Sequence, residues 1–154
     1  MLKKILQTLA IVAAIGGTAG VLSTGAMASE DKVHKIVFHV DENDPKRMNL
    51  VLNNAANVDA YFKAKGEETL IEIVTYGPGL NMLIAGKHPK VQKRISSFEQ
   101  NFDNISFKAC GNTMKKFAKK TGKPVILISQ AEIVPSGVVQ LILRQEQGWS
   151  YIRP

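Results

Sequence analysis

Cysteine is nearly absent from this sequence, since Cys110 is the only one among 154 residues. A single cysteine excludes an intramolecular disulfide, and with it the small secreted folds that several disulfides hold together. The three histidines and this cysteine also lack the close paired spacing of zinc ligands. The sequence therefore predicts no metal or other cofactor, and a domain that is stabilised by a hydrophobic core.

Motifs that bind phosphate groups are also missing. The segment Gly77-Pro78-Gly79 lacks the Gly-Lys-Ser/Thr ending of a phosphate loop, and no Gly-x-Gly-x-x-Gly follows the first predicted strand. The formal net charge is +7, and lysines are densest at residues 115–123. Because this cluster lacks the interleaved aromatic residues of single-strand binders, we interpret it as a solvated helix face and predict no nucleic-acid partner.

The longest apolar run lies at the start of the chain, where residues 1–28 have the layout of a signal peptide. Lys3 and Lys4 form a basic n-region, residues 5–15 an apolar h-region, and residues 26–28 a small-x-small cleavage signature. Glycines interrupt the run, which favours a cleaved signal peptide over an uncleaved membrane anchor. We therefore expect no stable membrane span after cleavage, one domain over residues 29–154, and a periplasmic or secreted protein.

Strand and helix patterns alternate along the rest of the chain. Short runs rich in β-branched residues predict five strands, at residues 35–40, 69–76, 105–109, 125–129 and 149–152. Apolar residues at helical spacing predict four helices, at residues 45–65, 89–102, 114–121 and 138–147. Since the strands are apolar on both faces, we predict a three-layer α/β/α fold with a mostly parallel, five-stranded sheet.

Cys110 lies between the third predicted strand and the third predicted helix. Ligands gather at the carboxyl ends of such strands, and free N–H groups in the first turn of a helix favour a thiolate. Candidate donors to the sulfur are Asn112 and the backbone amides of Gly111 to Thr113, although plain helix capping is the preferred interpretation of Asn112. The alternative is that Cys110 is a small, packed and unreactive core residue.

Two further loops follow strands at the same predicted edge and are candidate walls of a pocket around the thiol. Their residues are Tyr76, Gly77, Pro78 and Gly79 in one loop, and Pro135, Ser136 and Gly137 in the other. The first loop is also explained as a tight turn, and the second as a helix cap. His39 ends the first strand, and we interpret it as a histidine whose hydrogen bonds are satisfied.

The segment Ala109-Cys110-Gly111-Asn112-Thr113-Met114, which opens a helix after a strand, resembles the DsrE/DsrF-like family of small α/β proteins associated with sulfur transfer. The resemblance extends to residues 38–45 and 71–79, and residues 133–139 and 148–154 resemble an exported branch of that family. It covers almost all of the mature chain. It implies a homo-oligomer, commonly a trimer or hexamer, in which Cys110 carries sulfur as a persulfide.

Two classes of function follow from these observations. In the first, the protein is an exported sulfur carrier or sulfurtransferase in which Cys110 exchanges sulfane sulfur with a donor or acceptor protein. In the second, it is a noncatalytic binding or assembly module in which Cys110 is packed and unreactive. The resemblance implies dedicated partner subunits for the cytoplasmic members of the family, so a predicted export signal leaves the donor and acceptor of this chain open.

Overall fold

The structure, a computed structural model, describes residues 32–154, so the predicted signal peptide lies outside the described residues. Strands and helices alternate along the chain. The elements are β1 (Val33–Val40), α1 (Pro45–Lys63), β2 (Glu68–Thr75), a 3₁₀ helix (Gly77–Met82), α2 (Pro89–Asn101), β3 (Ile105–Cys110), α3 (Gly111–Thr121), β4 (Ala131–Val134), α4 (Gly137–Glu146) and β5 (Ser150–Ile152). None of the helices in residues 32–154 has the length and apolar character needed to cross a membrane.

The five strands form one sheet in the order β4-β3-β2-β1-β5, and every neighbouring pair is parallel. Ile36 lies opposite Ile71, and Ile71 lies opposite Ile105, so β-branched side chains stack across the three central strands. Helices cover both faces of the sheet. This arrangement confirms the predicted three-layer α/β/α class, with a sheet that is entirely parallel.

The two faces of the sheet are covered unequally. Successive side chains of a strand point to opposite faces. Phe38 therefore enters a large core beneath α1 and α2, against which α3 also packs, whereas its neighbour Val37 enters a small cluster with Val74 and Leu141 of α4. Of the described helices, only α4 contributes buried side chains to this second cluster.

Local signals in the sequence set where α1 begins and where α3 ends. Asp44 caps α1 by accepting a hydrogen bond from the Lys46 N–H at 2.9 Å, and Pro45 occupies the first helical position. Gly122 ends α3 in the left-handed region, at φ 67°. These boundaries confirm the predicted first helix and the predicted stop of the third.

The predicted fourth strand is wrong, because residues 125–129 do not join the sheet. The Ala85 N–H donates to the Ile126 carbonyl at 2.9 Å, and the Ile128 N–H donates to the Leu83 carbonyl at 2.9 Å. The apolar run thus pairs with the segment after the 3₁₀ helix and packs Leu127 and Ile128 against the large core. The strand beside β3 is β4, at the edge of the sheet. Its residues range from half-buried to exposed, so its sequence lacks the continuous apolar pattern of a central strand.

The segment after β2 also differs from expectation, because Gly77–Met82 form a 3₁₀ helix where the sequence predicts only a loop. Pro78 stands near its start, and its carbonyl accepts a hydrogen bond from the Asn81 side-chain amide at 2.8 Å. The fixed φ of proline suits a first helical turn. Its apolar residues Leu80 and Met82 are buried.

A buried polar cluster holds α4 on the sheet. Glu72 of β2 accepts hydrogen bonds from the Arg144 guanidinium at 2.6 Å and from the Gln140 side-chain amide at 2.8 Å. The Arg144 guanidinium lies over the Trp149 ring, 4.8 Å from its centroid. Burial raises the pKa of the Glu72 carboxyl, but the bonds to Arg144 and Gln140 lower that pKa by more, so Glu72 is held as a carboxylate.

We expect Glu72→Ala to lower the free energy of unfolding by about 2 kcal/mol, because it leaves Arg144 and Gln140 without their partner. Arg144 is partly exposed and can turn towards water, which keeps the loss below that of a fully buried pair. Chemical denaturation measures the change. Glu132→Ala removes an exposed carboxylate that pairs with Lys108, and as the matched control it should change stability by less than about 1 kcal/mol. Equal losses in both variants would contradict the role given to Glu72.

Candidate functional site

Cys110 lies where two helices begin. It is the last residue of β3, and α3 starts at the next residue. Because the strands are parallel, the loop after β2 and the loop between β4 and α4 reach the same edge of the sheet. The chain therefore brings Tyr76 and the first residue of α4, Gly137, next to the cysteine.

Gly137 makes this arrangement possible because it has no side chain. A Cβ atom at Gly137 would lie 2.9 Å from the Tyr76 Cβ and 3.2 Å from the Cys110 Cβ. The first distance is too short for two carbon atoms, so any larger residue would push the start of α4 away from the cysteine. Glycine at this position allows the backbone of α4 to approach the sulfur.

Polar groups surround the sulfur of Cys110 and favour its charged form. The Thr113 hydroxyl and the backbone N–H groups of Gly137, Thr113 and Asn112 lie around it, although the first-turn amides make no short, linear capping bond to it. Burial raises the pKa of the Cys110 thiol, and these donors lower that pKa by more, so it lies below its ordinary value. These groups therefore favour the thiolate form of Cys110.

Hydrogen bonds tie the surrounding loops to the start of α3. The Gly77 N–H donates to the Thr113 hydroxyl oxygen at 3.0 Å, which leaves the hydroxyl hydrogen free to point at the sulfur. The Asn112 N–H donates to the Pro135 carbonyl at 3.2 Å. Thr113 therefore links the loop after β2 to the cysteine, and Pro135 holds the loop before α4.

The structure thus brings together most of the site residues predicted from the sequence. These are Cys110, Gly111, Asn112, Thr113, Tyr76, Gly77, Pro135 and Gly137. The remaining three have structural roles elsewhere. The Pro78 carbonyl binds Asn81, Ser136 begins α4 without a side-chain capping bond, and Gly79 packs so closely on β1 that a Cβ atom would lie 2.2 Å from the Val40 carbonyl oxygen.

His39 belongs to the surroundings of the site in a way that the sequence did not indicate. Its ring stacks on Tyr76 with centroids 4.6 Å apart, and its Nδ1 lies 2.7 Å from the Tyr151 hydroxyl. Its Nε2 is buried without a hydrogen-bond partner in residues 32–154, 3.8 Å from the Asp41 carboxylate. The prediction that the hydrogen bonds of His39 are satisfied therefore holds for Nδ1 and fails for Nε2.

Tyr151 and Arg153 come from the end of the chain, and no local sequence signal marks them as neighbours of His39. Arg153 binds Asp41 with two hydrogen bonds, of 3.1 and 2.9 Å. The final strand and the residues after it therefore form one wall beside His39. Across residues 32–154, no group of three or more histidine, cysteine, aspartate or glutamate side chains is arranged to hold a metal ion.

The exposure of Cys110 bears on both functions that the sequence left open. The residue is only 4% exposed, which is typical of a packed core cysteine. The polar groups around its sulfur are typical of a reactive one. The site therefore combines a buried thiol with stabilisation of the thiolate.

The chain was compared with known proteins of three kinds. No protein-family model matches the sequence, and no curated protein matches it. A solved structure does match: the protein of unknown function MTH1491 from Methanobacterium thermoautotrophicum, which is 31% identical and superposes with a TM-score of 0.62. The match covers 79% of this chain and 99% of that chain, so the two proteins share the fold over nearly the whole of MTH1491.

We expect Thr113→Val to slow alkylation of Cys110 at pH 7 by roughly fivefold, because a hydrogen bond to a charged group contributes about 1 kcal/mol or more. The rate should recover at higher pH, since the pKa of the thiol rises in this variant. Stopped-flow labelling of the folded protein across pH measures both effects. Thr121→Val on the last turn of α3 is the matched control, because that hydroxyl binds the Phe117 carbonyl and lies far from the sulfur.

We expect acid to destabilise the protein through His39. Burial lowers the pKa of His39 from 6.5, the nearby Asp41 carboxylate opposes this shift, and Arg153 adds to it. The neutral ring therefore stabilises the fold fully above the unfolded pKa of 6.5, and this stabilisation is lost as pH falls through the lower folded pKa. His39→Phe keeps the stacking on Tyr76 and should flatten this part of the dependence of unfolding free energy on pH. An unchanged slope would show that other groups cause it.

Proposed function

Since the chain belongs to the same family as the MTH1491 protein, whose function is itself unknown, we propose from its own residues that it carries sulfane sulfur as a persulfide on Cys110. The resemblance of residues 109–114 to the DsrE/DsrF-like family supports the same chemistry. The signal-peptide pattern of residues 1–28 supports a carrier that works in the periplasm or outside the cell.

The observation that carries this proposal is the set of donors around the Cys110 sulfur. The Thr113 hydroxyl and the backbone N–H groups of Gly137 and Thr113 favour a negative charge on a sulfur that is otherwise buried, and the Asn112 N–H, which also donates to the Pro135 carbonyl, adds a smaller effect. A persulfide anion keeps its charge on the outer sulfur, about 2 Å further along the S–S bond. The donors therefore stabilise the charge of the resting thiolate. In the persulfide, the same groups surround the inner sulfur, and the charged outer sulfur lies beyond them.

The proposed chemistry needs no external oxidant or reductant. The Cys110 thiolate attacks the sulfane sulfur of a donor such as thiosulfate; the donor's S–S bond breaks, and sulfite leaves with the electron pair. In the second step, an acceptor thiolate attacks the outer sulfur of the persulfide. The bond between the two sulfurs breaks, Cys110 leaves as a thiolate, and the acceptor becomes a persulfide.

The low exposure of Cys110 favours the second candidate function, a noncatalytic binding or assembly module with a packed cysteine. The two candidates differ in how the folded protein reacts. A persulfide carrier is alkylated in its native state below the ordinary thiol pKa of about 8.5, whereas a packed cysteine is labelled only after unfolding.

We expect intact-mass spectrometry to show whole sulfur atoms added to the protein after exposure to polysulfide or thiosulfate. The adduct should be absent from Cys110→Ser, which removes the only thiol in the sequence. It should also disappear when a small thiol acceptor is added, because exchange returns Cys110 to the thiolate. A folded, reduced wild type that gains no sulfur from either donor would contradict the proposed function.

We also propose that the protein is a homo-oligomer, a trimer or hexamer, that uses the outer side of α4. Four large apolar side chains of this helix are exposed by 45 to 50%, and they are Val138, Val139, Ile142 and Leu143. They recur at spacings of four residues, so each pair lies on one side of the helix. Monomeric proteins seldom leave such a patch open to water, and a second copy of the chain would cover it.

We expect the wild type to sediment as a trimer or hexamer and Ile142→Glu to sediment as a smaller species, because a carboxylate cannot be buried unpaired in an apolar interface. Ile126→Glu is the matched control. Ile126 is 63% exposed and lies in the loop between α3 and β4, away from α4 in the chain. A wild type that is monomeric at micromolar concentration would overturn this proposal and leave the persulfide chemistry untouched.

A further inference from the structure

Helix α3, which begins directly after Cys110, and the turn that follows it carry a cluster of lysines on the solvent side. We call this cluster the α3 lysine face, and its members are Lys115, Lys116, Lys119, Lys120 and Lys123, all exposed. The spacing of the first four places them as two neighbouring pairs, one helical turn apart. Within α3 the face runs about 8 Å along the helix axis, from Lys115 to Lys120 and away from the sulfur site, and Lys123 extends it past the end of the helix.

The charge of this face is not balanced by nearby acids. The sequence contains no aspartate or glutamate between Asp103 and Glu132. Among the ion pairs of residues 32–154, Glu132 pairs with Lys108, and none includes a lysine of the face. Asp41 and Glu42, which follow β1 at the same edge of the sheet, pair with arginines. The lysines are thus the uncompensated charge next to Cys110.

The surroundings of the face restrict what can bind it. Met114 and Phe117, the large apolar residues of α3, pack against the core, so no large apolar side chain of this helix is free to enter a membrane beside the lysines. No exposed aromatic residue stands between the lysines to stack on the bases of a single-stranded nucleic acid. Acidic side chains of a protein need neither feature, because they can be recognised by charge alone.

We propose that the α3 lysine face binds an acidic segment of the protein that exchanges sulfur with Cys110. This inference rests on the proposed function, and it adds the class of partner. A segment of about four extended residues spans the face. With its carboxylates on the lysines, such a partner presents its own cysteine at the start of α3, where the outer sulfur of the persulfide extends from Cys110.

The test measures sulfur transfer from the persulfidated protein to two synthetic thiol peptides. Both have the same length and one cysteine, and one carries four glutamates where the other carries four lysines. Each rate is divided by the rate of the same peptide with a small-molecule persulfide, which removes differences in peptide thiol reactivity. We expect the acidic peptide to react about tenfold faster at about 10 mM salt and less than about twofold faster at 0.5 M, because salt screens exposed charges.

Lys119→Glu combined with Lys120→Glu should abolish or reverse this preference. Both lysines lie more than two turns from Cys110, so the thiol chemistry itself should stay unchanged, and alkylation rates verify this. Lys35→Glu with Lys63→Glu is the matched control, because it reverses the same charge at two exposed lysines on other elements. The control should keep the tenfold preference. Equal normalised rates for the two peptides on the wild type would overturn the proposed partner class.

A binding measurement separates failure of this inference from failure of the proposed function. Fluorescence anisotropy of a labelled acidic peptide is recorded with Cys110→Ser, which has no sulfur chemistry. Salt-sensitive binding that Lys119→Glu with Lys120→Glu removes supports the docking surface, even where the wild type forms no persulfide. Absence of peptide binding overturns it, and so does tighter binding to vesicles of phosphatidylserine and phosphatidylcholine than to the peptide.

Discussion

The close contact of Gly137 with Tyr76 and Cys110 is the constraint on which the site depends. It lets the backbone of α4 reach the cysteine, since a Cβ atom at this glycine would lie 2.9 Å from Tyr76. The other end of α4 is held by the ion pair between Arg144 and Glu72, at 2.6 Å. Two anchors about two turns apart fix the direction of the helix. Its first N–H group is thereby one of the donors that lower the pKa of the Cys110 thiol.

Two opposing effects act on that sulfur. Burial disfavours a charged thiolate, and the surrounding hydroxyl and N–H groups favour it, with a net lowering of the thiol pKa. In an apolar pocket, burial alone would raise the pKa of the thiol. An exposed thiol would be accessible to reagents in the solvent. Cys110 therefore combines shielding from solvent with surroundings that favour its charged form.

The uneven covering of the sheet gives the site two different flanks. One face bears α1, α2 and α3, and the other bears α4 alone among the described helices. Since α3 and α4 both begin at the sulfur, a cationic helix face and an apolar one diverge from the same point. An ionic surface recognises partners reversibly and in a salt-dependent way, whereas an apolar surface supports lasting assembly. Under the proposed function, the cationic flank would bind the partner protein and the apolar flank a second copy of the chain.

The sequence by itself determined the order of elements, the parallel sheet and the place of Cys110 between a strand and a helix. These depend on local periodicity and on short signals such as Asp44-Pro45 and Gly122, which act within a few residues. The tertiary structure decided which segment became the edge strand. Residues 125–129 form hydrogen bonds with the chain after the 3₁₀ helix, so β4 and not this apolar run lies beside β3. The tertiary structure also decided that Gly137 touches Cys110 and that His39 binds Tyr151, which is 112 residues away. Such contacts depend on how packed elements meet in space, and no spacing along the chain encodes them.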